Sequence, residues 1–288
     1  MGEGTFTVME VLRASEQWLA ARGAEAPRRS AELLLGKVLG LPRLQLYLAH
    51  DRPLDAAERL AMRTLLQRRG KGEPVAHLLG SWSFRGLELE VSRDVLVPRP
   101  ETEELVDLVL ARCPQGGRLV DLGTGSGAIA IACAVARPDL AVVATDVSEP
   151  ALAIAQRNAA RHGVAGRIRL ARGSWWDAVP AEAPFDVVAS NPPYVDPGRM
   201  DLVAPDVAAY EPALALYAPA GDVAACYRSV GAGLERALRP GGHVVFETGA
   251  GCFEQALDVV RGVPCLEQVQ VLQDLGQQPR FVVGRRRS

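Results

Sequence analysis

Residues 186–194, DVVASNPPY, form an apolar run that halts at two adjacent prolines. Proline has no backbone N–H, so a strand ladder ends there. The residues at this strand end can do chemistry. The side-chain oxygen of Asn191 and the main-chain carbonyl of Pro192 can both accept hydrogen bonds from one NH2 group. Pro192 and Pro193 stiffen the backbone, and Pro192 keeps Asn191 out of the helical region. Tyr194 offers a flat face on which a planar group can stack. A planar group bearing NH2 is an amide or an amino-base, and its nitrogen is a poor nucleophile because the lone pair is delocalised. Two acceptors on the N–H bonds would aim that lone pair at an electrophile and stabilise positive charge growing on nitrogen. Asn191, Pro192 and Tyr194 are therefore the candidate catalytic residues. With Pro193 they form the candidate substrate site.

A second cluster, DLGTGSG at residues 121–127, sits between a strand-like run and a helix-like run. Glycines there allow a tight turn and let a ligand approach the backbone at the positive end of the helix. Gly123, Gly125 and Ala128 also satisfy the dinucleotide spacing G-x-G-x-x-G/A, which keeps a nicotinamide dehydrogenase open. Asp146 ends the next strand, AVVATD, at the right distance to accept hydrogen bonds from ribose hydroxyls. Such charge-assisted bonds contribute roughly 1.5–3 kcal/mol each. Its plainer use is to cap the helix that begins after Ser148 and Pro150. Both features ask for a nucleoside-bearing ligand without saying which. Asp121, just ahead of the glycines, would repel a pyrophosphate and favour a ligand carrying positive charge.

The elements that must hold these residues can be read from periodicity. Residues 1–74 are predicted to be helical, a small bundle of four short helices. Thr7 and Glu10 have capping-box spacing, and Val8, Leu12, Trp18 and Leu19 fall near one face. The last helix of the bundle carries Leu60, Leu65 and Leu66 as its apolar positions and stops at Gly70. Residues 75–95 are rich in β-formers (Trp82, Phe84, Leu87, Leu89, Val91) around Gly86, so they predict a β-hairpin linker. Residues 96–288 open with a helix whose first turn is acidic (Glu101, Glu103, Glu104) and then alternate strand and helix. That alternation predicts an α/β fold, a mostly parallel sheet with helices on both faces. The link between LEQVQVLQ and RFVVGRR is too short for a parallel crossover, so one of them must run antiparallel. If FDVVAS lies beside RLVDL, NPPY faces the glycine loop at the sheet's carboxyl edge.

Bulk properties narrow the class. A formal charge of −2 over 288 residues argues against holding nucleic acid by bulk electrostatics, so no nucleic-acid partner is expected. The five cysteines and four histidines are scattered, with no CxxC pair, which predicts reduced thiols and no metal site. No secretory leader and no membrane-length apolar run is present in the sequence given. A cytoplasmic protein without a membrane partner is expected, and a monomer.

DLGTGSG and the antiparallel closing strand resemble class I methyltransferases, a Rossmann-like seven-stranded fold, which implies S-adenosyl-L-methionine as cofactor. That molecule carries a sulfonium and an ammonium and no phosphate. More narrowly, DLGTGSGAIAIA, TDVSEPALAIAQRNAARHG and SNPPYV, with GEPVAHLLG and VPRPETEELVD ahead of them, closely resemble the HemK/PrmC family along essentially the whole chain. Those enzymes are protein-(glutamine-N5) methyltransferases that modify the glutamine of the GGQ motif in class I peptide-chain release factors. The resemblance implies a methyltransferase domain over 96–288 and a substrate-recognition role for residues 1–74. It implies cofactor binding at Gly123, Thr124, Gly125, Ser126, Gly127, Asp146, Trp175 and Asn191, and substrate glutamine at Asn191, Pro192, Pro193 and Tyr194. GSWWDAV stands where the family shows GDWF, which leaves Trp176 as an alternative to Trp175 on the adenine side. PRPETE separates this group from relatives that methylate a ribosomal-protein glutamine. Adenine-N6 methyltransferases use the same NPPY logic on a flipped base and remain the second reading. A non-catalytic adaptor is the third.

Overall fold

The computed structural model of the chain describes residues 6–179, 184–249 and 251–288; the first five residues of the expected helical domain lie outside them. Two compact units are present: Met1–Ser81 together with Pro205–Tyr210, and Trp82–Ala204 together with Glu211–Ser288.

The helical unit contains α1 (Val8–Ala20), α2 (Pro27–Leu39), α3 (Arg43–Leu48), α4 (Ala56–Arg69) and α5 (Val75–Leu79). The capping box forms: the Thr7 side chain accepts from the Glu10 N–H, and the Glu10 carboxylate accepts from the Thr7 N–H. Val8, Leu12 and Leu19 from α1 meet Leu34 and Leu35 from α2, Leu46 from α3 and Met62 from α4 in a closed core. Three details differ from the sequence reading. A fifth helix, α5, occupies the start of the expected hairpin linker, running from Pro74 to a left-handed Gly80. Leu60 is 64% exposed, and Met62 takes the buried position on α4 instead. Gly70 does end α4, but with an ordinary φ of −67°. Its lack of a side chain matters for another reason: a Cβ there would lie 2.5 Å from the Trp18 indole.

In the sheet unit, β1 (Ser81–Phe84) and β2 (Leu87–Glu90) form a two-stranded hairpin. There follow α6 (Pro100–Leu110), β3 (Arg118–Leu122), α7 (Ala128–Ala136), β4 (Ala141–Asp146), α8 (Glu149–Arg161), β5 (Ile168–Arg172) and β6 (Phe185–Ser190). After α9 (Pro205–Tyr210), which groups with the helical unit, come α10 (Ala213–Leu216), α11 (Ala225–Gly231) and α12 (Leu234–Ala237). The chain closes with β7 (Leu238–Glu247), α13 (Phe253–Arg261), β8 (Leu266–Gln273) and β9 (Pro279–Arg286). The seven-stranded sheet has the order β5-β4-β3-β6-β7-β9-β8. β9 runs antiparallel to both its neighbours, and the other pairings are parallel.

Strand alternation supplies both faces of the sheet. Leu119, Val142, Val187 and Val245 point to one side, where Leu105, Val106 and Val109 of α6 and the apolar α7 cover them. Val120, Val143, Val188 and Val244 point to the other, beneath Tyr227 and Val230 of α11 and Val260 of α13. A sheet buried on both faces needs continuous apolar strands, and β6 is buried at every position.

Two buried polar side chains hold the glycine loop to this frame. Asn158 on α8 accepts from the Glu90 N–H at 2.6 Å and donates to the carbonyls of Glu90 (3.1 Å) and Ser126 (2.9 Å). It thus ties the hairpin, α8 and the loop together. Asp121, fully buried at the end of β3, accepts from the Thr124 hydroxyl at 2.6 Å, while its Oδ1 has no partner. Burial pushes its carboxyl up from the ordinary 3.8 to about 7, against the hydrogen bond from Thr124.

Removing the Asn158 amide strands three backbone groups, the Ser126 carbonyl buried and the two of Glu90 partly so, and Asn158→Ala is expected to lower the unfolding free energy by roughly 1–3 kcal/mol in urea denaturation. Asp121 binds its proton more tightly in the folded chain than in the unfolded one. Its stabilising contribution is therefore complete below the unfolded pKa and is lost as pH rises through about 7. Denaturation midpoints measured from about pH 5 to pH 8 should fall for the wild type and fall less for Asp121→Asn.

Candidate active site

The carboxyl ends of β3, β4 and β6 open into a cavity of about 500 Å³ within the sheet unit. Gly123, Thr124, Gly125 and Ser126 form its floor after β3, and Asp146 stands at the end of β4. Gly123, Gly125 and Gly127 have φ of +76°, +55° and +84°, backbone that side chains rarely tolerate. The loop is fastened sideways: Asp146 Oδ2 accepts from the Gly125 N–H and Oδ1 from the Ser148 N–H, both at 2.9 Å. Asp146 therefore serves the turn into α8, where Ser148 is the cap, while presenting a carboxylate to the cavity. Burial raises its pKa, and the N–H groups of Ser148, Gly125 and Val147 pull it back down.

Of the two tryptophans, Trp175 lines the cavity and Trp176 does not. The Trp176 Nε1–H donates to the Val230 carbonyl at 2.8 Å, and its ring fills space that Gly233 leaves empty. Trp175 adopts a left-handed φ of +47°, costing on the order of 1 kcal/mol, and its indole edge lies over Gly123.

Asn191 and Pro193 reach the cavity wall opposite the glycine loop. The Asn191 amide donates to the Thr102 hydroxyl at 3.4 Å, which commits its NH2 side to α6 and leaves Oδ1 as the acceptor. Three of the expected residues stand outside the wall. Gly127 lies below it, at the start of α7, where a Cβ would meet Ile131 at 2.7 Å and Ala155 at 3.2 Å. The Pro192 ring is buried. The Tyr194 ring packs against Gly249, where a Cβ would come within 2.7 Å of it, and burial pushes its phenol pKa up.

The sequence reading missed Thr102, which lines the cavity from the first turn of α6. It also missed the segment Asp94 to Leu96, and Leu214 and Tyr217 around α10. For Thr102 the signal was VPRPETE, a family segment in which that side chain had no assigned role.

The wall's electrostatics choose the ligand. Among the described residues lining it are two carboxylates, Asp94 and Asp146, and no Lys, Arg or His. A pyrophosphate would find no cation there, whereas a positively charged nucleoside would be stabilised. Asp121, invoked for this from the sequence, is walled off beneath the loop. Among the described residues no helix is long and apolar enough to cross a membrane, and no group of side chains could hold a metal ion.

Comparison with known proteins agrees with this geometry. Residues 10–80 match the model of the PrmC N-terminal domain, and residues 101–208 that of the methyltransferase small domain. The release factor glutamine methyltransferase of Chlorobaculum tepidum is 39% identical over 288 aligned residues, covering 96% of this chain and 97% of the relative. That of Neisseria gonorrhoeae is 40% identical, covering 94% and 97%. A crystal structure of a methyltransferase from Pyrococcus furiosus matches in fold, with a TM-score of 0.52, 19% identity, and coverage of 81% of this chain and 100% of that one. The fold is that of a class I methyltransferase, and the cofactor is S-adenosyl-L-methionine. The chain belongs to the release factor glutamine methyltransferase family.

Proposed function

We propose that this protein methylates the N5 side-chain amide nitrogen of the glutamine in the GGQ motif of class I peptide-chain release factors. The observation that carries this reading is Asn191 on the cavity wall, with its NH2 turned to Thr102 and its oxygen left to accept. Relatives named release factor glutamine methyltransferase, similar over nearly the whole length, support its coarser part, the methylation of a release-factor glutamine.

In this reading Gly123 to Ser126 bind the cofactor through their backbone, Asp146 accepts from its ribose hydroxyls, and Trp175 flanks its adenine. The bound cofactor supplies a methyl group on positively charged sulfur. Asn191 Oδ1 and the Pro192 carbonyl accept the two N–H bonds of the glutamine amide, so its nitrogen lone pair is turned toward that methyl. Positive charge would develop on the amide nitrogen as it took up the methyl group that the cofactor would supply, and the same two oxygens would stabilise it. The methylated amide nitrogen is then strongly acidic and releases its proton to water without a dedicated base. Tyr194, packed on Gly249, braces the loop that carries both acceptors.

The helical unit is the natural reader of the release factor's body, since a single glutamine offers too little area for selectivity. Leu44 and Leu48, one turn apart on α3, are 73% and 74% exposed and would serve this contact.

Mass spectrometry of the GGQ peptide after incubation with cofactor and intact release factor should show one added methyl group on glutamine. Asn191→Ala should reduce kcat/KM by roughly 10²-fold or more while the cofactor still binds. Label transferred to duplex DNA and not to release factor would favour the adenine-N6 reading. The double variant Leu44→Asp/Leu48→Asp should raise KM for intact release factor by about fivefold or more, and leave a short GGQ peptide's rate unchanged.

A further inference from the structure

Glu247 ends β7 in the interior, 2% exposed, and its Oε2 is buried without a hydrogen-bond partner. A carboxylate in that position is costly unless something uses it. Register shows what lies next to it. Ser190 of β6 pairs with Phe246 of β7, so the following residues, Asn191 and Glu247, stand side by side at the sheet edge. Thr102 and Asn191 both oppose the rise that burial imposes on the Glu247 carboxyl, and the Asn191 amide donates to Thr102 Oγ1 at 3.4 Å. Arg280 on β9, whose charge acts on Glu247, bonds to Asp274 at 3.1 Å and to the Thr248 carbonyl at 3.2 Å.

We infer that Glu247, acting through the Thr102 hydroxyl, is the positioning residue that holds the Asn191 side-chain amide with its oxygen toward the substrate. This rests on the reading of Asn191 as an acceptor for the glutamine NH2. The two ends of a carboxamide have nearly the same shape, so only hydrogen-bond partners decide which end faces the cavity. An ionised carboxylate can only accept. Thr102 must then donate to it, and the Thr102 lone pair is left to accept from the Asn191 NH2. If Glu247 is protonated, it can donate to Thr102, whose own proton is free to turn toward Asn191. That arrangement welcomes the flipped amide, which presents NH2 to the substrate's NH2, donor against donor.

The relay is therefore active only when Glu247 is ionised. Burial lifts its pKa from 4.5 to about 7, with hydrogen bonds from Thr102 and Asn191 and the charge of Arg280 opposing the rise and Glu101 adding to it. Glu101 faces it from α6, Arg280 from β9, Tyr194 from the loop after β6 and Tyr227 from α11. Burial raises the pKa of both tyrosines, and Arg280, which burial lowers, is raised on balance by its bond to Asp274, so these three do not change charge near neutrality.

The test is kcat on intact release factor at saturating cofactor, from about pH 5.5 to pH 9. The wild type should show an acidic limb with an apparent pKa near 7. Glu247→Gln should lose the limb and run about tenfold or more slower at pH 8, with cofactor affinity by calorimetry within about twofold of wild type. Thr102→Val should slow kcat to a similar extent, and Thr102→Ser should restore it to within about twofold. A wild-type profile flat across this range, a Glu247→Gln variant that keeps the limb, or a Thr102→Val variant at full rate would each overturn the assignment. Should Glu247→Gln fail to fold, the Thr102→Val and Thr102→Ser pair decides the matter alone. A wild type that leaves the release factor unmodified would remove the proposed function itself, an outcome separate from these.

Discussion

The site depends on β3 and β6 lying side by side and parallel, with no strand between them. Leu119, Val120 and Asp121 pair with Val187, Val188 and Ala189, so both strands end at the same edge and at the same depth. One is followed by the glycine loop and the other by Asn191-Pro-Pro-Tyr194. These segments are some 65 residues apart in the chain, yet they face each other across one cavity because the sheet reverses its strand order here. An intervening strand would move them about 5 Å further apart.

The same register places a polar side chain at the end of four neighbouring strands: Asp146 closing β4, Asp121 in β3, Asn191 after β6 and Glu247 closing β7. Burial raises all three carboxyls, and the cavity wall offers no Lys or Arg among its described residues. Such an edge is short of positive charge. It suits a cationic cofactor and a reaction in which positive charge appears on nitrogen, and it disfavours phosphate-bearing ligands. The strain at Trp175 belongs to the same design, since a left-handed tryptophan persists only where its surroundings fix it, here over Gly123.

Much of this was legible in the sequence, and the misses share a cause. Strand–helix alternation marked RLVDL, AVVATD and FDVVAS, because β3, β4 and β6 are buried along most of their length and burial dictates their composition, and a short link marked the antiparallel closing strand. Leu60 and Met62 on α4 exchanged roles because that helix is polar overall, and two residues' difference rotates a side chain by more than half a turn. Val75 to Leu79 can serve strand or helix, and packing of Leu78 into the helical core decides for helix. Tyr194 has the chemistry to stack on a substrate. What places it elsewhere is Gly249, a residue without a side chain and far along the chain.

Local motifs and non-local supports carry different information. DLGTGSG and NPPY are recognisable because their function resides in their own backbone, so their residue types are constrained wherever they occur. Glu247 and Thr102 have no such signature: each is a single polar residue at the end of an ordinary element, and only strand register and the start of α6 bring them to Asn191. A carboxamide used as a directed acceptor cannot orient itself, because both its ends are polar and similar in size. Any site that uses one must hold its NH2 end on an acceptor, and keeping water from competing requires that acceptor to be buried. In this protein the requirement leads from the NPPY loop through a threonine hydroxyl to a carboxyl group in the interior. On the proposed reading, the unusual burial of Glu247 is a consequence of the same chemistry that sets an asparagine immediately after β6.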